Sequence, residues 1–311
     1  MPARGGGEAT VASVVDVGSN TVLLLTVRVA PDGRARAVDA ALATTQLGTG
    51  LRDGAPLDGA ARTRTRDAVV EMACRARAQG ARFVWAFATG AARRASDGDA
   101  FAAQLARDAA CSVEVLTGER EAALAYEAMA HSLGGNGRSC LAVDVGGATT
   151  ELTLGQGGAV EAMVSLPLGV LALTERREAA PALVDAALAT TDLPSRARTR
   201  GADVVASGGT ATALAALDLG LSRYDPARVN GHPLAVAHLA ALAADAGRAA
   251  TDVLDPGRAR VLPAGACILE HVARAAGADT VRASEHGVRH AYLRQRLAEE
   301  GVDADLRALW D

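Results

Sequence analysis

Two hydrophobic periods alternate along this chain, and the switches between them mark out its elements. Residues 11–15 and 21–29 are apolar and rich in β-branched side chains over strand-like lengths, and they flank the polar segment Asp16-Val17-Gly18-Ser19-Asn20. The pair reads as a β-hairpin whose turn is more polar and glycine-rich than a simple reversal needs. Residues 37–45 predict a third strand. Residues 58–79 carry a helical period that stops at Gly80, a natural C-cap. A strand at 82–89, a helix at 97–110, a strand at 112–116 and a helix at 119–131 follow.

After a glycine- and asparagine-rich linker at 134–137 the pattern restarts. An apolar strand at 140–145 carries Asp144 and runs into Gly146-Gly147-Ala148-Thr149-Thr150. Strands at 151–154 and 159–166, a helix at 179–190 and a strand at 204–206 come next. That last strand leads into Ser207-Gly208-Gly209-Thr210 and an alanine-rich helix. The arginine-dense residues 196–200 read as a solvated linker, and the chain from residue 233 onward reads as mostly helical. Strand, aspartate, glycine-rich turn and returning strand therefore occur twice, 128 positions apart, which is a duplication at domain scale. The expected architecture is α/β with two similar domains, residues 9–125 and 126–311, a cleft between them, and the last helix packed back on the first domain.

Composition narrows this picture. A chain of 311 residues exceeds one ordinary core and suits two domains. Half of the residues are hydrophobic but only 3% are aromatic, so Ala, Val and Leu must build the core. The net charge of −4 gives no general attraction for nucleic acid or an anionic membrane. Lysine is absent, which excludes a Schiff-base lysine and a P-loop of the G-x-x-x-x-G-K-[ST] kind. Cys74, Cys111, Cys140 and Cys267 lack paired spacing and read as reduced, buried hydrophobes. Residues 1–10 lack the apolar core of a signal peptide, and no apolar run reaches the ~18 residues of a membrane span. A cytoplasmic location is the expectation.

The candidate chemistry sits at the turns. Consecutive N–H groups in a glycine turn form a concave anion site, to which Ser19, Asn20, Thr149 and Thr150 add donors. Asp16 and Asp144 would repel phosphate unless a hard cation such as Mg²⁺ or Mn²⁺ lay between. For either turn alone, a glycine hairpin with a self-capping Asp is the better explanation, but its recurrence in two duplicated copies favours the anion site. Ser207-Gly208-Gly209-Thr210 opens a helix, where exposed N–H groups and the helix dipole favour anions, though a close-packed small-residue turn has the same composition. Arg93 and Arg94 end an apolar strand and suit phosphate oxygens, or else are solvated charges. Glu119 and Glu121 begin a helix, where they serve the dipole unless one is a general base. His286 and His290 are four apart but have no third partner at metal-ligand spacing.

These pieces in this order resemble the exopolyphosphatase/guanosine pentaphosphate phosphatase family, within the actin-like (ribonuclease H-like) superfold. The matching stretches are VVDVGSNTVLLL, FATGAARRA, LTGEREAALAYEA, LAVDVGGATTEL, SLPLGV, VASGGTATALAAL and ASEHGVRHAYL, which together span residues 11–293. The resemblance implies two duplicated actin-like domains around a cleft, in the short two-domain form without further C-terminal helical domains, and often a homodimer. It implies metal-dependent release of orthophosphate from the end of inorganic polyphosphate, with Glu121 as the catalytic base. By that resemblance Gly18, Ser19, Asn20, Arg93, Gly146, Gly147, Ala148, Thr149, Ser207, Gly208, Gly209 and Thr210 hold phosphate, and Asp16, Asp144 and Glu151 face the metal. Hydrolysis of the 5′-phosphate of pppGpp uses the same site. An ATP-binding actin-like module or kinase, and a non-catalytic sensor, are the remaining readings.

Three positions depart from the family pattern. Ala148 stands where a third glycine is usual, so its methyl is expected to disfavour positive φ and crowd a phosphate. Leu23 stands where a basic residue is usual. The late G-L-R-E-G pattern becomes Gly287-Val288-Arg289-His290-Ala291.

Overall fold

The computed structural model describes residues 8–132, 137–249 and 252–310. The expected linker at 134–137 and the N-terminal residues 1–10 fall largely outside them. The first half contains β1 (Thr10–Val17), β2 (Thr21–Val29), β3 (Ala35–Thr44), α1 (Gly59–Ala78), β4 (Phe83–Ala88), α2 (Gly90–Arg94), α3 (Gly98–Ala109), β5 (Ser112–Val115) and α4 (Gly118–Ser132). The second opens with β6 (Ser139–Val145), β7 (Thr150–Gln156), β8 (Ala159–Leu166), α5 (Val170–Glu175), α6 (Ala180–Leu188), α7 (Leu193–Thr199), β9 (Asp203–Ser207) and α8 (Gly208–Asp218). It ends with α9 (Pro226–Val229), β10 (Pro233–Ala235), α10 (Leu239–Ala244), α11 (Pro256–Ala275), β11 (Thr280–Ala283) and α12 (Val288–Glu299).

The two sheets repeat one plan. The first runs β3-β2-β1-β4-β5 and the second β8-β7-β6-β9-β11, with β10 added at the end. In each, three antiparallel strands are followed by parallel ones. Leu23 lies opposite Asp16, and Glu151 opposite Asp144. The duplication expected from the sequence is thus a duplication of topology and register.

Local chemistry explains the element ends. Asp58 caps α1 by accepting the Ala61 N–H at 2.8 Å, and Gly80 takes φ +83° just beyond it. Asp255 caps α11 in the same way through the N–H groups of Gly257 and Arg258. It also accepts the Thr44 hydroxyl at 2.7 Å, so the end of β3 is tied to the start of α11 across the halves.

One sequence expectation fails here and another is incomplete. Residues 196–200 are not a linker: Arg196 and Arg198 lie in α7, which buries Leu193, Pro194 and Ala197 while its arginines face outward. Arginine is a good helix former, so its density carried no loop signal. The region beyond residue 233 is mostly helical, as expected, but it also contains β10 and β11, whose three and four residues are too short to show a period. The last helix does pack against the first half. One buried cluster joins Ala12 and Val14 of β1 to Ala142, Val205 and the α12 residues Val288 and Leu293. Helix α4 runs through position 125 and packs against β7, β8 and α12. No described helix is long and apolar enough to cross a membrane.

Candidate active site

The two hairpin turns close by the same bond. Gly18 N–H donates to Thr21 O at 2.9 Å, and Gly146 N–H donates to Thr149 O at 2.9 Å. A Cβ on either glycine would meet that carbonyl at 3.0 Å, a tight contact that disfavours a side chain in both turns. The turn carbonyls are occupied: Ser19 O and Asn20 O accept from residues 45, 46 and 48, and Gly146 O and Gly147 O from Val170 and Leu171. The N–H groups of Ser19, Asn20, Gly147 and Ala148 make no backbone hydrogen bond among the described residues. Oriented donors without acceptors are the makings of an anion site. The turns also touch, since a Cβ at Gly147 would lie 2.8 Å from Ser19 Cβ and 3.0 Å from Asn20 N.

Between the halves lies a cavity of about 730 Å³. The first turn brings Asp16, Gly18, Ser19 and Asn20 to its wall, and the second brings Asp144, Gly146 and Gly147. The start of α8 adds Gly208, Gly209 and Thr210 with the positive end of its dipole. Gly208 sits at φ +83°, and a Cβ there would be 2.7 Å from Asp144 Oδ1. Glu121, in the first turn of α4, reaches the same cavity. These expected site residues converge.

Five others are placed differently. Ser207 is buried beneath the α8 turn, opposite Asp144 in the β6–β9 register. Ala148 and Thr149 lie behind the second turn, where a Cβ on Gly90 would meet the Ala148 methyl at 3.1 Å and Thr149 Oγ1 at 3.5 Å. Ala148 does not adopt positive φ, and its methyl does not line the cavity. The expected crowding of phosphate by that methyl is therefore corrected: the turn reaches its conformation without a left-handed residue, and the methyl points into the β4–α2 junction. Arg93 and Glu151 also stand behind the cavity wall. Arg93 Nη1 donates to Glu121 Oε2 at 2.8 Å and to Leu116 O at 2.9 Å, while Nη2 lies 3.9 Å from Glu151 Oε1. Ser165 Oγ donates to Glu151 Oε1 at 2.7 Å, and Glu151 Oε2 is buried without a partner.

The carboxylates share one electrostatic problem. Burial, reinforced by Glu121 and Asp144, lifts Asp16 to about 7, while Arg289 opposes the rise. Burial and Glu121 lift Asp144 to about 7, partly offset by the Ser207 hydroxyl. Burial raises Glu121 also, against the pull of Arg93. Glu151 is raised well above the usual carboxylate range, by burial and by the neighbouring Glu121 and Asp144. Acids packed together out of water resist ionising together.

Among the described residues, no three His, Cys, Asp or Glu side chains form a group that could hold a metal ion by themselves. Asp16 and Asp144 do suit a cation that takes one or two carboxylates and completes its shell with water and substrate oxygens, the habit of Mg²⁺. Both line the cavity, and burial together with the neighbouring Glu121 disfavours their charged forms, which a bound cation would relieve. Glu151 is engaged by Ser165 and the Arg93 side instead.

The far wall carries residues to which the sequence patterns assigned no role. Tyr224 Oη donates to Glu285 Oε2 at 2.5 Å, and Arg289 Nη2 pairs with Glu285 Oε1 at 3.1 Å. Arg258, at the start of α11, lies against Gly209, where a Cβ would be 2.6 Å from its Nη2. Glu285 and Arg289 fall inside the late matching stretch, but Arg258 and Tyr224 had no local signal. His286 and His290 are buried and stacked with ring centroids 4.5 Å apart. Gly287 N–H donates to His290 Nδ1 at 3.1 Å, and burial depresses both rings, His286 to about 4. They form a buried, stacked pair whose rings are held toward the neutral form.

The family model described as "Ppx/GppA phosphatase family" matches residues 28–300. A solved family member from Aquifex aeolicus superposes with a TM-score of 0.72 at 25% identity, covering 94% of this chain and 99% of that one. An exopolyphosphatase from Cytophaga hutchinsonii has the same fold, with a TM-score of 0.80 at 19% identity over 95% of this chain and 100% of that one. A guanosine-5′-triphosphate,3′-diphosphate pyrophosphatase from Vibrio vulnificus is 32% identical over 169 residues, 54% of this chain and 34% of that protein. The chain thus matches only about a third of the length of that relative. With the duplicated fold and the glycine-turn cleft in place, the match over residues 28–300 establishes that this chain belongs to the Ppx/GppA phosphatase family.

Proposed function

We propose that this protein is an exopolyphosphatase that removes terminal orthophosphate from inorganic polyphosphate. The observation that carries the reading is Glu121. It is only 8% exposed, reaches the cavity beside both glycine turns, and is held by Arg93 at 2.8 Å. A carboxylate raised by burial toward neutrality is a better base than one on the surface.

The N–H groups of Ser19, Asn20 and Gly147, with the α8 N-terminus, would bind the terminal phosphates and orient them in line. Glu121 would take a proton from the attacking water as its oxygen bonds to the terminal phosphorus. The P–O bond to the bridging oxygen breaks, orthophosphate forms, and the shortened chain keeps that oxygen. Asp16 and Asp144 would hold Mg²⁺ or Mn²⁺, which when bound neutralises phosphate charge. A homodimer and a cytoplasmic location belong to the same reading.

A second substrate, pppGpp, is favoured by one feature of the cavity. Its wall includes Leu23, Leu42 and Val253 with the aromatic side chains of Tyr224 and Trp310, an apolar stretch that a bare polyphosphate would not need. Orthophosphate release from polyphosphate and from pppGpp, each with and without Mg²⁺, tests both substrates. Release from neither, or undiminished release by Glu121→Ala, overturns the reading.

A further inference from the structure

We propose that a second, smaller pocket behind Arg93 is the exit for orthophosphate, with the Arg93 side chain as its gate; this rests on the exopolyphosphatase reading. End-on hydrolysis leaves two products that are separated in space. The shortened chain still occupies the main cavity, while orthophosphate lies at Glu121. Gly147 packed against Ser19 and Asn20 closes the floor between the turns. Orthophosphate is then enclosed by the chain on one side and the Glu121 wall on the other.

That wall is Arg93. Its guanidinium bonds to Glu121, which lines the main cavity, yet Arg93 itself lines a separate pocket of about 220 Å³. This is room for several waters at ~30 Å³ each. The pocket runs from the buried Ala92 and Leu116 beside Arg93 to the exposed Ser96, Asp99 and Thr117 at its mouth. Nη1 is occupied by Glu121 and Leu116 O, but Nη2 is buried and makes no hydrogen bond. Nη2 lies 3.9 Å from Glu151 Oε1, too far for a hydrogen bond, so its N–H groups keep donor capacity that a passing anion can use. The exposed carboxylate of Asp99 at the mouth opposes retention, which fits a passage and not a store. With the exit open, orthophosphate leaves while the chain stays bound, so removal is processive.

The test narrows the mouth at a residue outside the catalytic machinery. Ser96 is exposed and its side chain makes no hydrogen bond within the described residues, so Ser96→Trp fills the mouth without disturbing a core. Phosphate release is followed in real time on long polyphosphate and on tripolyphosphate, and chain lengths are resolved on gels. For tripolyphosphate the short remnant leaves through the cleft and orthophosphate can follow it. Ser96→Trp is expected to lower kcat about tenfold on long chains, as when product release becomes limiting. KM should fall with kcat so that kcat/KM is nearly unchanged, tripolyphosphate turnover should be unchanged, and intermediate chain lengths should accumulate. Asp99→Arg, placing a cation at the mouth, should strengthen inhibition by added orthophosphate. The proposal is overturned if the wild type is already distributive, or if Ser96→Trp keeps the wild-type ratio of long-chain to tripolyphosphate turnover. Absence of any release by the wild type would instead remove the exopolyphosphatase reading.

Discussion

Arg93 Nη1 lies 2.8 Å from Glu121 Oε2, and its Nη2 lies 3.9 Å from Glu151 Oε1, so one guanidinium stands between two buried carboxyl groups. Its charge lowers the Glu121 carboxyl, against the upward push of burial. Removing the cation must raise that carboxyl further. Because a base acts only when ionised, Arg93→Ala should move the acidic limb of the pH–rate profile to higher pH. Breaking a mostly buried pair should also cost about 3 kcal/mol of stability. A pH–rate profile of the variant checks the first effect, and an unchanged acidic limb would refute it.

Glu121→Gln keeps the shape and the Arg93 contact but cannot accept a proton. We expect kcat to fall roughly 10²–10⁴-fold, the usual contribution of a general base, with polyphosphate binding retained. Single-turnover phosphate release together with a binding isotherm separates the two quantities.

Asp16 and Asp144 make the metal-free protein sensitive to pH in a defined direction. Burial raises both from 3.8 to about 7 in the fold, whereas unfolded they titrate near 4. Between roughly pH 4 and 7 the native state binds more protons, so stability falls as pH rises through that window and then levels off. The metal-free melting temperature should be lower at about pH 8 than at about pH 5.5, and Asp144→Asn should flatten the difference. Mg²⁺ should raise it mainly at the higher pH. Equal melting temperatures at both pH values would contradict the raised carboxyls of Asp16 and Asp144.

Ala148 gives the opposite kind of prediction. Its methyl packs toward Gly90 and outside the cavity, and its φ is not positive. Ala148→Gly should therefore leave kcat/KM within about twofold while losing about 1 kcal/mol from lost packing and added chain entropy. Thermal unfolding and steady-state kinetics decide it, and a large gain in activity would restore the crowding argument.

The duplicated hairpins, the Asp-Gly turns and the element order were legible in the sequence because they rest on local rules. A β-branched run with a polar turn specifies a hairpin, Asp58 and Gly80 bound a helix, and the turns repeat at a fixed offset. The same rules misread residues 196–200 and missed β10 and β11, where arginine density hid a helix and the strands are too short for a period. No local rule showed that Arg93 faces Glu121 and Glu151 from behind the cavity. None placed Tyr224, Arg258, Glu285 and Arg289 opposite the turns either. The sequence by itself determined which residue types stand at the two turns and that they recur. Only the tertiary structure decided which carboxylates share one buried space, where the Ala148 methyl points and which arginine lies between two pockets, because those relationships join residues far apart in the chain.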